Sequence, residues 1–285
     1  MSWLPTRIDA QLDAALSTST AAVRVRTDAG EAFCKAMGGP DEPPSALACD
    51  WIGSRLGQLL GLPVPPVAIC ESTLPLVLSD KGRQSEAGPV FLSQVVEDAE
   101  TWDGTAEALA TVDNPEVIAG GVLLDSWILN QDRYGYRSDG QRRVNLRNVL
   151  LQPVGRGRRR RLVWLIDHTH CLTRRDGGSF AARIDTIDHE QDDRIFGLFP
   201  AFVPLASVER AQPWIARLRS IADAELDGIM SVIPPAWEVS LDQRQSLLHL
   251  LARRRDYLCN HWLTAMATAC VWQHPLTDFT NEQET

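Results

Sequence analysis

The sequence predicts an α+β chain in two unequal lobes, a small β-rich one over residues 1–98 and a larger, mainly helical one over residues 99–285. Three observations carry that reading. Apolar residues near the start alternate with polar ones, which is the period of a half-buried strand, whereas those further on recur at helical spacing. Between the two regimes lies EDAETWDGTAEAL, whose acidic, small and turn-forming residues suit a linker. At 44% hydrophobic and 23% charged, the 285-residue chain has enough apolar material for a sizeable core and too little bias for a disordered or fibrous class.

The elements follow in order. In AAVRVRTDAGEAFCKAM, Val23 and Val25 form one alternating run and Phe33, Lys35 and Met37 another, and Asp28-Ala29-Gly30 between them is turn chemistry. This predicts a hairpin with a lysine in its second strand. PPSALACDWIGSRLGQLLGLPVPP predicts a helix: Ser45 is the N-cap candidate, Ile52, Leu56, Leu59 and Leu60 share a face, and Gly61 then Pro63 end it. VPPVAIC, LPLVL and PVFLSQVV read as strands. After the linker, PEVIAGGVLLDSWILN predicts a helix with Pro115 near its start. NVLLQPVGRGRRRRLVWLID predicts a β-hairpin, and the segment from Leu226 to Met266 predicts two helices broken at Pro234-Pro235.

Charge and cysteine usage exclude several classes. A formal net charge of −9 argues against a broad nucleic-acid surface, which needs clustered Lys and Arg. The run Arg158–Arg161 stands apart as a solvated hairpin tip or a docking point for an acidic partner or nucleic acid. Six cysteines without a CxxC pair signal neither a zinc knuckle nor a disulfide framework. His168 and His170 lack further ligands at a familiar zinc spacing and read as structural. The opening MSWLPTRIDAQLDAAL lacks a basic segment followed by an apolar core, and the apolar stretch from Val117 to Leu129 is short and holds Asp125. The expectation is a cytoplasmic protein with no membrane partner.

Candidate chemistry is concentrated in four places. Phosphoryl transfer requires a cation on the nucleotide phosphates, a carboxylate near the attacking hydroxyl and oxygen ligands for magnesium. Lys35, on an alternating strand, is either an exposed strand lysine or that cation. Asp132 follows the helical segment ending near Leu129 with Arg133 beside it, and the pair is either a helix-end turn or a reactive carboxylate with an arginine to orient it. Leu162 to Ile166 deliver Asp167 at the end of five apolar residues, where a carboxylate is costly to bury unless paired or metal-bound. Asn145 and Asn148 precede the apolar run Val149-Leu150-Leu151.

CKAM, ALACDWIGSRLGQLLGLPVPP, LLDSWILNQDR, NVLLQP and LVWLIDHTHCL, in that order, resemble the HipA-like kinase family, and the C-terminal IPPAWEVSLDQRQSLLHLLARRRDYL is similar to its closing helices. The resemblance spans Val23 to Trp262. It implies a protein-kinase-like fold that binds ATP and Mg2+ between its lobes and transfers the γ-phosphoryl group to a hydroxyl of a protein Ser or Thr. By the same resemblance Lys35 is the ATP-phosphate lysine, Asp132 the catalytic aspartate with Arg133 adjoining, and Asp167 a metal ligand. Asn148 is preferred as the metal-binding asparagine, with Asn145 as the second candidate.

Three departures accompany the match. Asp50 stands where the lysine's partner is usually glutamate. LSTSTAAV, which should cover the phosphates, has no glycine, although Ser17 to Thr20 offer hydroxyls and backbone amides, with Ser19 and Thr20 the favoured pair. The loop from Asp132 to Asn148 carries an insertion, YGYRSDGQRR. These departures keep two alternatives in play, an inactive ATP-binding scaffold of the same fold and a toxin-like regulatory protein acting through its arginine tip.

Overall fold

The computed structural model describes residues 3–17, 20–39, 43–79, 81–136, 142–155, 159–172 and 190–273. Strands β1 (Ile8–Gln11), β2 (Val23–Thr27), β3 (Gly30–Lys35), β4 (Val67–Ser72) and β5 (Gly88–Gln94) form an antiparallel sheet in the order β1-β2-β3-β5-β4. The hairpin of β2 and β3 turns where Asp28 and Ala29 predict it, pairing Val23 with Cys34 and Val25 with Ala32. Those four side chains are fully buried in the small lobe's own core with Val90 and Leu92. Strand periodicity therefore turns Phe33 and Lys35 to the opposite face, toward the second half of the chain. The strand ends at Lys35, so Met37 lies beyond it, in the main core.

Helix α1 (Ser45–Leu60) packs on that sheet. Ser45 is its first residue and not its cap; Pro44 holds the cap position without a side-chain bond. The other end follows expectation. Gly61 adopts φ 76°, and the N–H groups of Gly61 and Leu62 bond to the carbonyls of Gln58 and Gly57 at 2.9 Å each, closing the last turn. LPLVL is not a strand. It makes one isolated antiparallel bridge, Val77 with Gln84, through Leu78 N–H to the Arg83 carbonyl and Ser85 N–H to the Leu76 carbonyl; Pro75 has no N–H to extend it, and Leu76 and Leu78 are buried.

The linker is anchored. Its Glu100–Thr101, β6, pairs with β9 (Val149–Val154), and Ala106–Leu109 form a short helix, α2, capped by Thr105. Trp102 is buried between Phe199 and Phe202, with ring centroids 5.0 and 4.9 Å away. Helix α3 (Val117–Trp127) is buried along its whole length and meets α1, α4 (Val208–Ser220) and α6 (Leu241–Gln273). An apolar stretch too short for a bilayer is thus the spine of the second lobe. Helix α5 (Asp223–Ser231) precedes the Pro234-Pro235 break, and α4 has no counterpart in the sequence expectations.

Two hairpins complete this lobe: β7 (Tyr134–Tyr136) with β8 (Arg142–Val144), formed by the insertion, and β9 with β10 (Arg160–Leu165). Arg254 of α6 reaches back to α3 and donates to the carbonyls of Trp127 at 3.0 Å and Ser126 at 2.5 Å, which have lost their helical partners. No helix among the described residues is long and apolar enough to cross a membrane.

Candidate active site

A cavity of about 1230 Å³ lies between the β3 face and the β9–β10 hairpin, lined by Phe33, Lys35, Asp132, Asn148 and Asp167 among others. Strand β3 delivers Lys35 from above. Its ammonium donates to Asp50 Oδ2 at 2.5 Å, Asp167 Oδ1 at 3.0 Å and Thr169 Oγ1 at 2.8 Å, so all three of its donors are engaged. Burial opposes the charge on Lys35, but the carboxylates of Asp167 and Asp50 outweigh it and hold the pKa above the ordinary lysine value. Asp167 shows the mirror behaviour. Burial would raise it, and the Lys35 charge with the bonds from Thr169 brings it below the usual carboxylate range. Asp50 is more deeply enclosed, and burial keeps its carboxyl raised against the pull of Lys35. Of the two carboxylates sharing the ammonium, Asp167 is the firmly ionised one.

Helix α1 places Asp50 through its small face. Asp50 Oδ1 accepts the His168 backbone N–H at 2.7 Å, and a Cβ on Gly53 would overlap the His168 side chain. Only a residue without a side chain lets the strand end approach the helix this closely. Asp167 itself takes φ 57°, the left-handed region, as the chain turns out of β10. Thr169 closes that turn with its N–H on Asp167 Oδ1 at 3.2 Å, and its single O–H serves either Asp50 Oδ2 at 2.8 Å or Asp167 Oδ1 at 2.7 Å.

Asp132 faces Lys35 across the cavity floor and is 3% exposed. Its Oδ2 accepts from Asn145 Nδ2 and Asn148 Nδ2, both at 3.0 Å, its backbone N–H donates to Asn130 at 3.2 Å, and its Oδ1 pairs with Arg143 at 2.5 Å. Asn148 also lies 3.4 Å from the Asp167 carbonyl through its amide nitrogen, a contact Asn145 does not share. Asn148 therefore stands between the two aspartates.

Arg133, expected beside the reactive carboxylate, points away from the cavity. It is 1% exposed, with Nε on Asp125 Oδ2 at 2.8 Å and Nη1 on the carbonyls of Asn148 and Ile166. Its Nη2 lies 3.4 Å from His168 Nε2, and Ser54 Oγ lies 3.3 Å from His168 Nδ1. Burial, then the neighbouring Arg133 charge, pushes the His168 pKa down to about 3, so the ring is neutral. One arginine thus ties the loop of Asp132 to both strand ends. Of Ser17 to Thr20, Ser17 lines the cavity and Thr20 is buried off its wall; Thr18, Ser19 and Arg158 lie outside the described residues.

Sequence reasoning missed Thr169, Asp125 and Arg143 as parts of this site. Thr169 had a signal in the Asp-x-Thr spacing of a side-chain-capped turn. Asp125 had one as the lone charge in an apolar helix, which must find a buried partner. Arg143 had none, because only the fold of the insertion brings it back to Asp132.

The sequence profile of the HipA-like kinases matches residues 19–260, most of the chain. The chain belongs to the HipA-like kinase family. Among 23 matching chains of solved structure is a Helicobacter pylori proinflammatory kinase, CtkA. It is 12% identical, covers 94% of this chain and 98% of its own, and superposes with a TM-score of 0.60, a likeness of fold. None of the curated proteins compared with this HipA-like kinase matches it significantly. The mixed α+β architecture, with an antiparallel sheet first and helices after, is that of a kinase.

Proposed function

We propose that this kinase binds ATP with magnesium in the cavity and transfers the γ-phosphoryl group to a serine or threonine hydroxyl of a protein. The observation that carries the reading is the convergence, from separate elements, of Lys35, Asp50 and Asp167 on one side of the cavity with Asp132 and Asn148 on the other. In this reading Lys35 exchanges part of its hold on Asp167 for phosphate oxygens and keeps Asp50 as its counter-charge. Asp132 accepts the proton of the attacking hydroxyl as the oxygen–phosphorus bond forms, and the electron pair of the broken bond leaves on the β-phosphate oxygen.

The donor chemistry fits magnesium. Asp132 accepts the Asn148 NH2, which leaves the amide oxygen for a metal, and the Asp167 carboxylate is ionised with its side chain 29% exposed. One carboxylate and one amide oxygen, completed by phosphates and water, is a usual magnesium set. When bound, the ion would neutralise charge between the β- and γ-phosphates. Asn145, held on the same Asp132 oxygen, would position the carboxylate and not bind metal. The six unpaired cysteines suit a reducing, cytoplasmic setting.

The test is incubation with labelled ATP, magnesium and a cytosolic protein extract, with mapping of phosphorylated residues, beside Asp132→Asn. Transfer to Ser or Thr that falls by about 10²–10⁴-fold in the variant, with ATP affinity retained, supports the reading. ATP binding without transfer to any acceptor favours the scaffold instead.

A further inference from the structure

We propose that Arg143, carried by the insertion hairpin, is a catalytic residue of this kinase: it shares its guanidinium between Asp132 and the γ-phosphate and stabilises the charge on the group in transfer. The proposal rests on the reading of Asp132 as the base. It starts from one of the three departures from the family resemblance, the insertion after Asp132. The hairpin of β7 and β8 pairs Gly135 with Arg143 and Tyr134 with Val144, folding the chain back so that a residue distant along the loop stands over the aspartate.

The two neighbouring arginines are placed differently. Arg142 lies over the Tyr134 ring, 5.9 Å from its centroid, whereas Arg143 Nη2 meets Asp132 Oδ1 at 2.5 Å. The Arg143 side chain is 39% exposed and on the cavity wall, and that of Asp132 is 5% exposed. The guanidinium therefore covers the aspartate from the side by which substrate must arrive.

The other cations near the cavity are committed elsewhere or do not touch the base. Arg24 is held by Glu31 at 2.5 Å, and Arg133 is enclosed by Asp125 and two carbonyls. Lys35 serves Asp50 and Asp167 on the opposite wall. Arg147 lines the cavity without contacting Asp132. A hydroxyl handing its proton to Asp132 must lie about 2.6–3.2 Å from that carboxylate. Its oxygen must stand about 3–3.5 Å from the phosphorus it attacks. A group already bonded to Asp132 Oδ1 is then within one side-chain rotation of the γ-phosphate oxygens, with no movement of the backbone.

Arginine suits this position because its fork offers five N–H donors, so one can stay on the carboxylate while others turn to phosphate. The transfer balances without another reactant. The hydroxyl oxygen bonds to phosphorus, the bond to the β-phosphate oxygen breaks with its electrons on ADP, the proton passes to Asp132, and Arg143 changes only its hydrogen bonds.

The test compares the parent chain with Arg143→Ala and Arg143→Lys, reading turnover and, by calorimetry with magnesium, the affinities for ATP and ADP. Melting curves establish that each variant is folded. Loss of a donor aimed at developing charge typically costs about 10²–10³-fold in turnover, and that is the expected loss for Arg143→Ala. Its ATP affinity should fall by about tenfold with ADP affinity unchanged, the signature of a lost charge-assisted bond to the γ-phosphate. The lysine variant should keep part of the preference for ATP. Turnover at or above the parent level would show that Arg143 only shields Asp132, and equal losses for ATP and ADP would show a structural role; either overturns the proposal. If the parent chain transfers phosphate to no acceptor, the proposed function fails, yet the ratio of ATP to ADP affinity still decides whether Arg143 meets the γ-phosphate.

Discussion

Arg133 and Asp125 form an ion pair 2.8 Å long with both side chains 1% exposed, and it is the joint on which the cavity floor turns. Asp125 comes from the last turn of α3, a helix buried along its whole length, and also accepts from Asn130 at 2.8 Å. Through Arg133 this fixed carboxylate reaches the carbonyls of Asn148 and Ile166, the residues that enter β9 and leave β10. The loop carrying Asp132 and the strand ends carrying Asn148 and Asp167 are thus held by one buried charge pair.

The first prediction follows from that pair. Burial holds the Asp125 carboxyl above its ordinary pKa even with Arg133 in contact, so the pair adds little net stability while it is intact. Breaking it is another matter, because Arg133 would remain in the interior without a counter-charge. Asp125→Asn is expected to cost about 3–5 kcal/mol in urea denaturation. A loss under about 1 kcal/mol would mean that water or a nearby group compensates Arg133, and that the joint is looser than its geometry.

A second prediction concerns the lysine. Lys35→Met leaves Asp50 and Asp167 facing each other without the cation they share. Turnover is expected to fall by about 10²–10³-fold, the usual consequence of removing one group that stabilises transferring charge. Asp50→Asn removes the counter-charge and keeps only one of two bonds, since Lys35 sits on Oδ2, the His168 N–H on Oδ1, and the amide has a single oxygen; turnover should fall by more than the lost bond explains. Turnover and melting temperature measured on the same samples separate the two effects. A variant that loses stability in proportion to activity would make Asp50 a purely structural partner.

Gly53 gives a third. An added Cβ would overlap the His168 Cβ and come within 2.8 Å of its Cγ, and His168 adjoins Asp167. Gly53→Ala must displace either α1 or the strand end, and overpacking of this kind typically costs about 1–3 kcal/mol. Because the displaced strand end carries Asp167, magnesium-dependent ATP affinity should fall as well. Unchanged affinity in a destabilised variant would show that α1 gives way instead.

The reach of the sequence is explained by where each constraint acts. The β2–β3 hairpin, α1, α3 and the β9–β10 hairpin were legible because local rules decide them: alternation, a glycine stop, an apolar helical run, and glycines between apolar arms. Their order then brought Lys35, Asp132, Asn148 and Asp167 into one expectation through the family resemblance. What escaped depends on long-range partners. LPLVL has the alternation of a strand and the burial too, yet it reaches only a single bridge, Val77 with Gln84, because Pro75 has no N–H to extend the pairing. Arg133 reads as part of the reaction because it adjoins Asp132, and its partner lies in α3, where the sequence shows Asp125 only as a break in an apolar run. Helix α4 buries few positions, Ala211, Ile215 and Leu218 among them, and its polar composition with an internal Pro213 hid it.

The last prediction is a pH dependence of stability centred on His168. The ring nitrogen Nε2 faces the Arg133 guanidinium at 3.4 Å and so serves as acceptor, which leaves the proton on Nδ1 toward Ser54 at 3.3 Å. A second proton would point at a guanidinium in the interior, with Lys35 nearby. The folded pKa is accordingly about 3, against an ordinary value of 6.5. The sign follows directly. Below pH 6.5 the unfolded chain takes up a proton that the folded one refuses, so stability is complete above that pH and declines on acidification until the folded ring itself titrates near 3. Each pH unit in that window removes about 1.36 kcal/mol through this group. Asp50, whose carboxyl burial raises, acts in the opposite sense, so the parent curve alone does not isolate the histidine. His168→Gln does, because an amide accepts from Arg133 and never titrates. Denaturant unfolding from pH 7 to 4.5 should show a shallower slope in the variant than in the parent. Parallel slopes would mean that His168 is protonated within the fold, and that Arg133 is not held against it as the structure shows.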